Sequence, residues 1–174
     1  MALTEIGLLK AVQRRSARPP MVSAARGLSL FGEHAGGWLA LGALGATLDR
    51  TRRREWLTAA AAVAFTHGAS IGVKRLVRRT RPADPEVQVL VGTPSRLSFP
   101  SSHAASTTAA AVLYGRLTGR RLTPVLVPPM LLSRLVLGVH YPTDVLAGSA
   151  LGGLVGWLAL RRLPRSGPDV VEET

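Results

Sequence analysis

Residues 56–73 read WLTAAAAVAFTHGASIGV, eighteen positions without a formal charge, closed by Arg52-Arg53-Arg54-Glu55 before and Lys74-Arg75 after. A helix needs about 20 apolar residues to cross the hydrocarbon of a bilayer, so this run alone predicts a membrane-crossing helix. A soluble helix would carry charge on its outward face about once per turn. This stretch does not.

Working outward, further stretches almost free of charge occupy residues 35–48, 104–115, 122–139 (interrupted by Arg134) and 145–160. Each is shorter and must borrow flanking residues, tilt, or lean on its neighbours to span. Arginines gather between the runs, at 50–54, 116–121 and 161–165. The expectation is an all-α integral-membrane helical bundle with about five membrane-crossing segments and an amphipathic N-terminal helix. A soluble all-α bundle is the alternative, kept open by the short runs.

The composition agrees. The 174 residues are 47% hydrophobic but only 5% aromatic, with a mean hydropathy of +0.21. Ala, Leu, Val and Gly make up the apolar mass, which suits closely packed helices. There is no cysteine, so disulfides and thiolate metal sites are excluded. The net charge of +12 comes almost wholly from arginine; Lys10 and Lys74 are the only lysines. Nucleic-acid binding would place that charge along one face with aromatic platforms. Here it sits in short clusters between uncharged runs, the pattern of a membrane protein facing anionic lipid or substrate.

Three segments follow along the chain. Residues 1–27 read as an amphipathic interfacial segment, with Thr4 as helix N-cap and Pro19-Pro20 ending the first helix. No leader with a sustained apolar core is evident there. Residues 28–163 form the membrane domain, and 164–174 a polar disordered tail. The basic residues divide almost evenly between the two membrane sides, so the positive-inside rule does not orient the chain.

Chemistry-bearing residues fall in three clusters. In the first, Lys74, Arg78 and Arg81 recur at helical spacing before Pro82, and a helix continuing past Val73 would align them on one face. In the second, Phe99-Pro100-Ser101-Ser102-His103 opens a helix with Ser101 as N-cap. Its free N–H groups and dipole attract phosphate, and His103 sits in that first turn. In the third, Ser133-Arg134 precedes His140 and then Asp144, with Ser133 and His140 two helical turns apart on one face. A carboxylate near an imidazole fixes its tautomer and stabilises its charged form. Taken singly, each cluster also reads as a basic helix end, a capped helix or a turn. Following the crossings, all three arrive on one membrane side, and together they make a phosphoryl-transfer site.

K-x6-RP, then PSSH, then SR-x5-H-x3-D resembles the three-part signature of the type-2 phosphatidic acid phosphatase family, which also contains vanadium haloperoxidases. The resemblance covers about residues 28–160 and departs once, with Ser102 where glycine is commonest. It implies a six-helix core and no cofactor. It implies that His140 attacks phosphorus, that Asp144 orients it and that His103 protonates the leaving oxygen. Lys74, Arg81, Ser101, Ser102 and Arg134 would hold the phosphate, with no metal. His67 and Arg78 are candidate pocket-lining residues, His67 with a structural hydrogen bond as its stronger reading, and Glu33-His34 a candidate rim.

The implied reaction is hydrolysis of a lipid phosphomonoester or diphosphate at an extracytoplasmic site, with membrane and lipid phosphate as partners and no nucleic acid. Likeness to actinobacterial members puts decaprenylphosphoryl-5-phosphoribose first among substrates, before polyprenyl diphosphates and phosphatidylglycerol phosphate. Arg75, Arg78, Arg79 and Arg96 exceed what one phosphate requires, in keeping with a substrate that carries two. The rivals are a vanadate-dependent peroxidase and a non-catalytic basic membrane-surface protein.

Overall fold

The computed structural model describes residues 2–162, and among these the regular structure is helical. The helices are α1 (Ala2–Ser16), α2 (Pro19–Gly32), a 3-10 turn (Glu33–Ala35), α3 (Gly36–Leu48), α4 (Arg53–Val77), α5 (Ser102–Thr118), α6 (Thr123–Val136) and α7 (Pro142–Leu160). The expected tail at 164–174 lies outside the described residues.

Helix α5 is the axis of the bundle, buried on nearly every side and packed against α3, α4, α6 and α7. Its run of Ala, Ser and Thr lets neighbours approach closely. On α7 the matching surface is Gly148, Gly152 and Gly156. A Cβ at the first two would strike the backbone carbonyls of Ser101 and Ala105, and at the third it would stand 3.0 Å from Val112. Buried hydroxyls within this interface find partners: Thr108 Oγ1 donates to Ser149 Oγ at 3.1 Å. The end of the core away from the three clusters is aromatic. Tyr114 stacks near Trp56 and donates its hydroxyl to the Trp38 carbonyl at 2.9 Å, and Trp38 Nε1 donates to Thr107 Oγ1 at 3.1 Å.

Helices α4 and α7, with 25 and 19 residues, are long and apolar enough to cross a membrane. At 1.5 Å per residue they reach about 37 and 28 Å. With 13 and 14 residues, α3 and α6 reach only about 20 Å, so they cross with help from their flanks. Leu44, Leu57, Phe65, Leu154 and Leu158 are exposed on the outside of the bundle. That belt belongs against lipid.

The N-terminal region departs from expectation in four ways. Helix α1 starts at Ala2, so Thr4 lies inside it rather than capping it. Pro19 and Pro20 open α2, because proline suits the first helical turn, where no N–H partner is needed. Helix α2 then runs unbroken through 27 and 28, where a boundary was expected. Nor does α1 merely lie at a surface: it packs on α6 and α7 with Leu9 fully buried.

The long connection from 78 to 101 is held by specific bonds. The Gln13 side chain donates to the Gln88 and Val136 carbonyls at 2.7 and 3.0 Å and accepts from the Gln88 N–H at 3.0 Å. Lys10 pairs with Asp84 at 2.9 Å and Glu86 at 3.1 Å. A single bridge joins Thr80 to Leu97.

Candidate active site

The last turn of α4, the first turn of α5, the last turn of α6 and the first turn of α7 meet at one end of the bundle, and α2 closes the side. Between them lies a cavity of about 390 Å³. Its wall includes Lys74, Arg81, Ser102, His103, Arg134 and His140. Residues from all three sequence clusters therefore share one space.

The routes by which they arrive differ from the expected continuous helices. Helix α4 stops at Val77, and Arg78 adopts a left-handed conformation (φ 56°, ψ 26°) that caps it with its N–H on the Lys74 carbonyl. Pro82 disfavours helix at the residue before it, so Arg81 arrives on an extended segment. Arg78 is exposed and lies outside the cavity wall, where Arg75 stands instead. Similarly, α6 stops at Val136, and Gly138 turns the chain with φ 69°. His140 is thus presented by the link into α7, not by a shared face with Ser133.

Lys74, 8% exposed, donates to the Ser98 and Pro100 carbonyls at 2.9 and 2.6 Å. Those bonds hold its ammonium at the cavity wall. Arg81 is anchored by its Nε on the Ser95 carbonyl at 2.8 Å and by Nη1 on the Val139 carbonyl at 2.6 Å. Burial brings Arg81 down to about 10, against only a partial lift from Asp144. It remains a cation at neutral pH. Arg134 is 2% exposed; its Nε touches Ser133 Oγ at 3.2 Å, and its Nη2 is buried without a hydrogen-bond partner. An unmatched donor on a buried cation calls for an anionic acceptor.

Arg81 also decides the tautomer of His140. Its Nη1 lies 3.2 Å from His140 Nε2. A guanidinium only donates, so Nε2 presents a lone pair and the ring proton sits on Nδ1. Nδ1 lies 3.4 Å from Asp144 Oδ2, within ion-pair distance but without a hydrogen bond. Burial, then Arg81, Lys74 and Arg134, push the His140 imidazole well below its usual range, so it stays neutral. Asp144 is fully buried. Its Oδ2 accepts the Tyr141 N–H at 2.8 Å in a capping box at the start of α7, and its Oδ1 accepts Arg79 Nη1 at 3.1 Å.

His103 lies across the cavity. Its Nε2 is 3.0 Å from the Ser29 carbonyl of α2, so that nitrogen carries the proton. Ser101 is fully buried; its Oγ accepts the Ala104 N–H at 3.4 Å as N-cap, and its own N–H goes to the Asp144 carbonyl at 2.9 Å. Its hydroxyl therefore builds the α5 terminus and is absent from the cavity wall. The Ser102 and Ser70 hydroxyls hydrogen-bond to each other at 2.7 Å. The N–H groups of Ser102 and His103 belong to the first turn, which helix geometry leaves without intrahelical acceptors.

His67 lines the cavity, with its ring 6.2 Å from that of His34; its Nδ1 is buried and has no partner, contrary to the hydrogen-bonded structural role expected. Glu33 and His34 form part of the wall, as does Arg26, which sequence spacing had not singled out.

Such a set can bind a tetrahedral anion between three cations and a helix N-terminus, with the neutral imidazole of His140 in the same wall. A family model described as the PAP2 superfamily matches residues 55–168. The chain belongs to the PAP2 superfamily. Among relatives of known activity, it is 58% identical over 153 residues to the decaprenylphosphoryl-5-phosphoribose phosphatase of Mycobacterium tuberculosis, covering 87% of this chain and 86% of that one. The enzyme of the same name from Mycolicibacterium smegmatis is 57% identical over 145 residues, 83% and 81% of the two chains. Two solved structures share the fold. The Bacillus subtilis transmembrane phosphatidylglycerolphosphate phosphatase has a TM-score of 0.71 at 21% identity, over 92% of this chain and 88% of that one. Aquifex aeolicus LpxE has a TM-score of 0.73 at 22% identity, over 90% and 94%. This PAP2 protein is an integral-membrane lipid phosphatase.

Proposed function

We propose that the chain hydrolyses the terminal phosphomonoester of decaprenylphosphoryl-5-phosphoribose, through a phosphohistidine on His140. The high identity to two enzymes of that name, over more than four fifths of each chain, carries the choice of substrate. The cavity supports it. A second phosphate needs cations beyond Lys74, Arg81 and Arg134, and Arg26 and Arg75 are in the wall. Arg78, Arg79 and Arg96, expected there from the sequence, are absent from it.

Lys74, Arg81, Arg134 and the first-turn N–H groups of α5 hold the phosphate oxygens. Positioning and charge neutralisation of this kind supply most of the catalysis in phosphoryl transfer. Arg81 turns its Nη1 from His140 Nε2 to a phosphate oxygen, and the freed Nε2 lone pair attacks phosphorus as the ester P–O bond breaks. His103, acting in its doubly protonated form, gives one proton to the departing ribose oxygen and is left a neutral imidazole. The positive charge that develops on His140 is stabilised by Asp144 beside Nδ1. Water then attacks the phosphohistidine, gives its proton to His103 and releases inorganic phosphate and free His140.

The site opens on the extracytoplasmic face. Because the chain lacks cysteine, Ser95→Cys offers one labelling site in the loop beside the cavity. In whole cells, a membrane-impermeant maleimide labels it under this reading and fails to label it under the opposite one. The substrate assignment is tested with purified protein in detergent and three lipids: decaprenylphosphoryl-5-phosphoribose, decaprenyl diphosphate and phosphatidylglycerol phosphate. The first is the fastest by kcat/KM. Preference for either of the others overturns the assignment.

A further inference from the structure

A second row of charges approaches His140 from behind the cavity, and it begins on a helix far away in sequence. Glu5 of α1 accepts Arg79 Nη2 at 2.6 Å, and Arg79 Nη1 donates to Asp144 Oδ1 at 3.1 Å. The other Glu5 oxygen accepts the Thr143 hydroxyl at 2.6 Å and the Thr143 N–H at 3.1 Å, at the start of α7. The Arg79 guanidinium lies 4.0 Å above the Tyr141 ring, which fixes its plane. None of Glu5, Arg79 or Asp144 belongs to the cavity wall.

We propose that Glu5 and Arg79 are positioning residues that hold Asp144 ionised and aimed at His140, so that helix α1 takes part in setting the rate of phosphoryl transfer. The inference rests on the reading of His140 as the nucleophile. A buried carboxylate needs a cation to stay charged, and Arg79 supplies it. Arg79 alone would also draw the charge of Asp144 away from His140. Glu5 shares the guanidinium, one prong to each carboxylate, and leaves Asp144 a stronger partner for Nδ1. Burial pushes the Glu5 carboxyl up, but bonds from Thr143 and Arg79 outweigh it, so Glu5 is ionised across the neutral range.

The effect is largest when His140 gains positive charge, that is, in the transition state. Losing it lowers kcat and leaves substrate binding alone. A structural role for Glu5 predicts something else: weaker docking of α1 and unchanged chemistry in the folded protein. Docking has other supports, since Lys10 pairs with Asp84 and Glu86, and Gln13 bonds to Gln88 and Val136. E5Q therefore keeps α1 in place while removing one charge.

The test compares wild type, H140A, E5Q, R79K and E5Q/R79K in detergent by single-turnover phosphoenzyme formation and steady-state kinetics. R79K keeps the charge but lacks the fork that reaches both carboxylates. Outer-shell partners of metal-bound histidines are typically worth 10- to 100-fold; on the same scale E5Q and R79K each slow phosphorylation about tenfold or more, with KM within about twofold. The double variant is no slower than the worse single one, because both act through Asp144. E5Q at the wild-type rate, losses that multiply, or a KM rise that accounts for the loss would overturn the proposal. If R79K is not recovered folded, E5Q decides alone. H140A that still turns over would instead bring down the nucleophile assignment beneath it.

Discussion

A Cβ at Gly32 would stand 2.7 Å from Cδ2 of His103 and 3.2 Å from the Met130 methyl. Gly32 has ordinary right-handed backbone angles (φ −83°, ψ −3°), so alanine is barred there by the ring alone. Gly32→Ala therefore leaves the fold intact and displaces His103 from the Ser29 carbonyl. Hydrolysis of an alkyl phosphate falls by about a hundredfold, the lower end of the scale for a lost general acid, while thermal stability in detergent changes little. An unchanged rate would show that His103 works from a different position.

His103→Ala separates leaving groups. A ribose-like alkoxide needs a proton as it departs, and an aryl phosphate such as p-nitrophenyl phosphate does not. The alkyl substrate slows by about 10² to 10⁴, the aryl substrate much less. Equal losses on both would remove His103 from the acid role.

His140→Ala abolishes turnover with the fold preserved. The protonation of His140 is checked separately. Burial and three nearby cations lower its pKa, so the ring is still neutral at pH 6.5, where a free histidine is half protonated. Nitrogen-15 spectra of histidine-labelled protein in detergent show the neutral Nδ1–H tautomer at that pH. A protonated ring there would contradict the arrangement with Arg81.

Arg81→Lys and Arg134→Lys keep the charge and lose the planar fork. Each costs about a hundredfold in kcat/KM, the usual scale for one donor aimed at transition-state charge. Near-normal rates in both variants would move these residues out of the phosphate cradle.

Vanadate inhibits competitively, because it takes up the five-coordinate geometry of the transferring phosphoryl group. Activity persists in EDTA, since the cations of the cradle are side chains. Complete loss on chelation, reversed by Mg²⁺, would require another mechanism.

The sequence by itself determined the class of fold and which polar residues gather at one end of the bundle. Uncharged runs between arginine clusters require helices in lipid, because polar outward faces are missing. The order Lys74…Arg81, Ser101-Ser102-His103, Arg134…His140…Asp144 lies at successive helix ends, which alternating crossings bring to one side. Both properties are local, and periodicity along the chain carries them. Tertiary structure decided the rest. It replaced the helical alignment of Arg78 and Arg81 with a left-handed cap at Arg78 and an extended segment, exchanging Arg78 for Arg75 in the wall. It brought Arg26 into the cavity from α2 and put Gly32 against His103. Most of all it joined Glu5, Arg79 and Asp144, which are separated by 74 and 65 positions. No repeat or spacing encodes a contact of that range; it exists only because α1 packs across the start of α7.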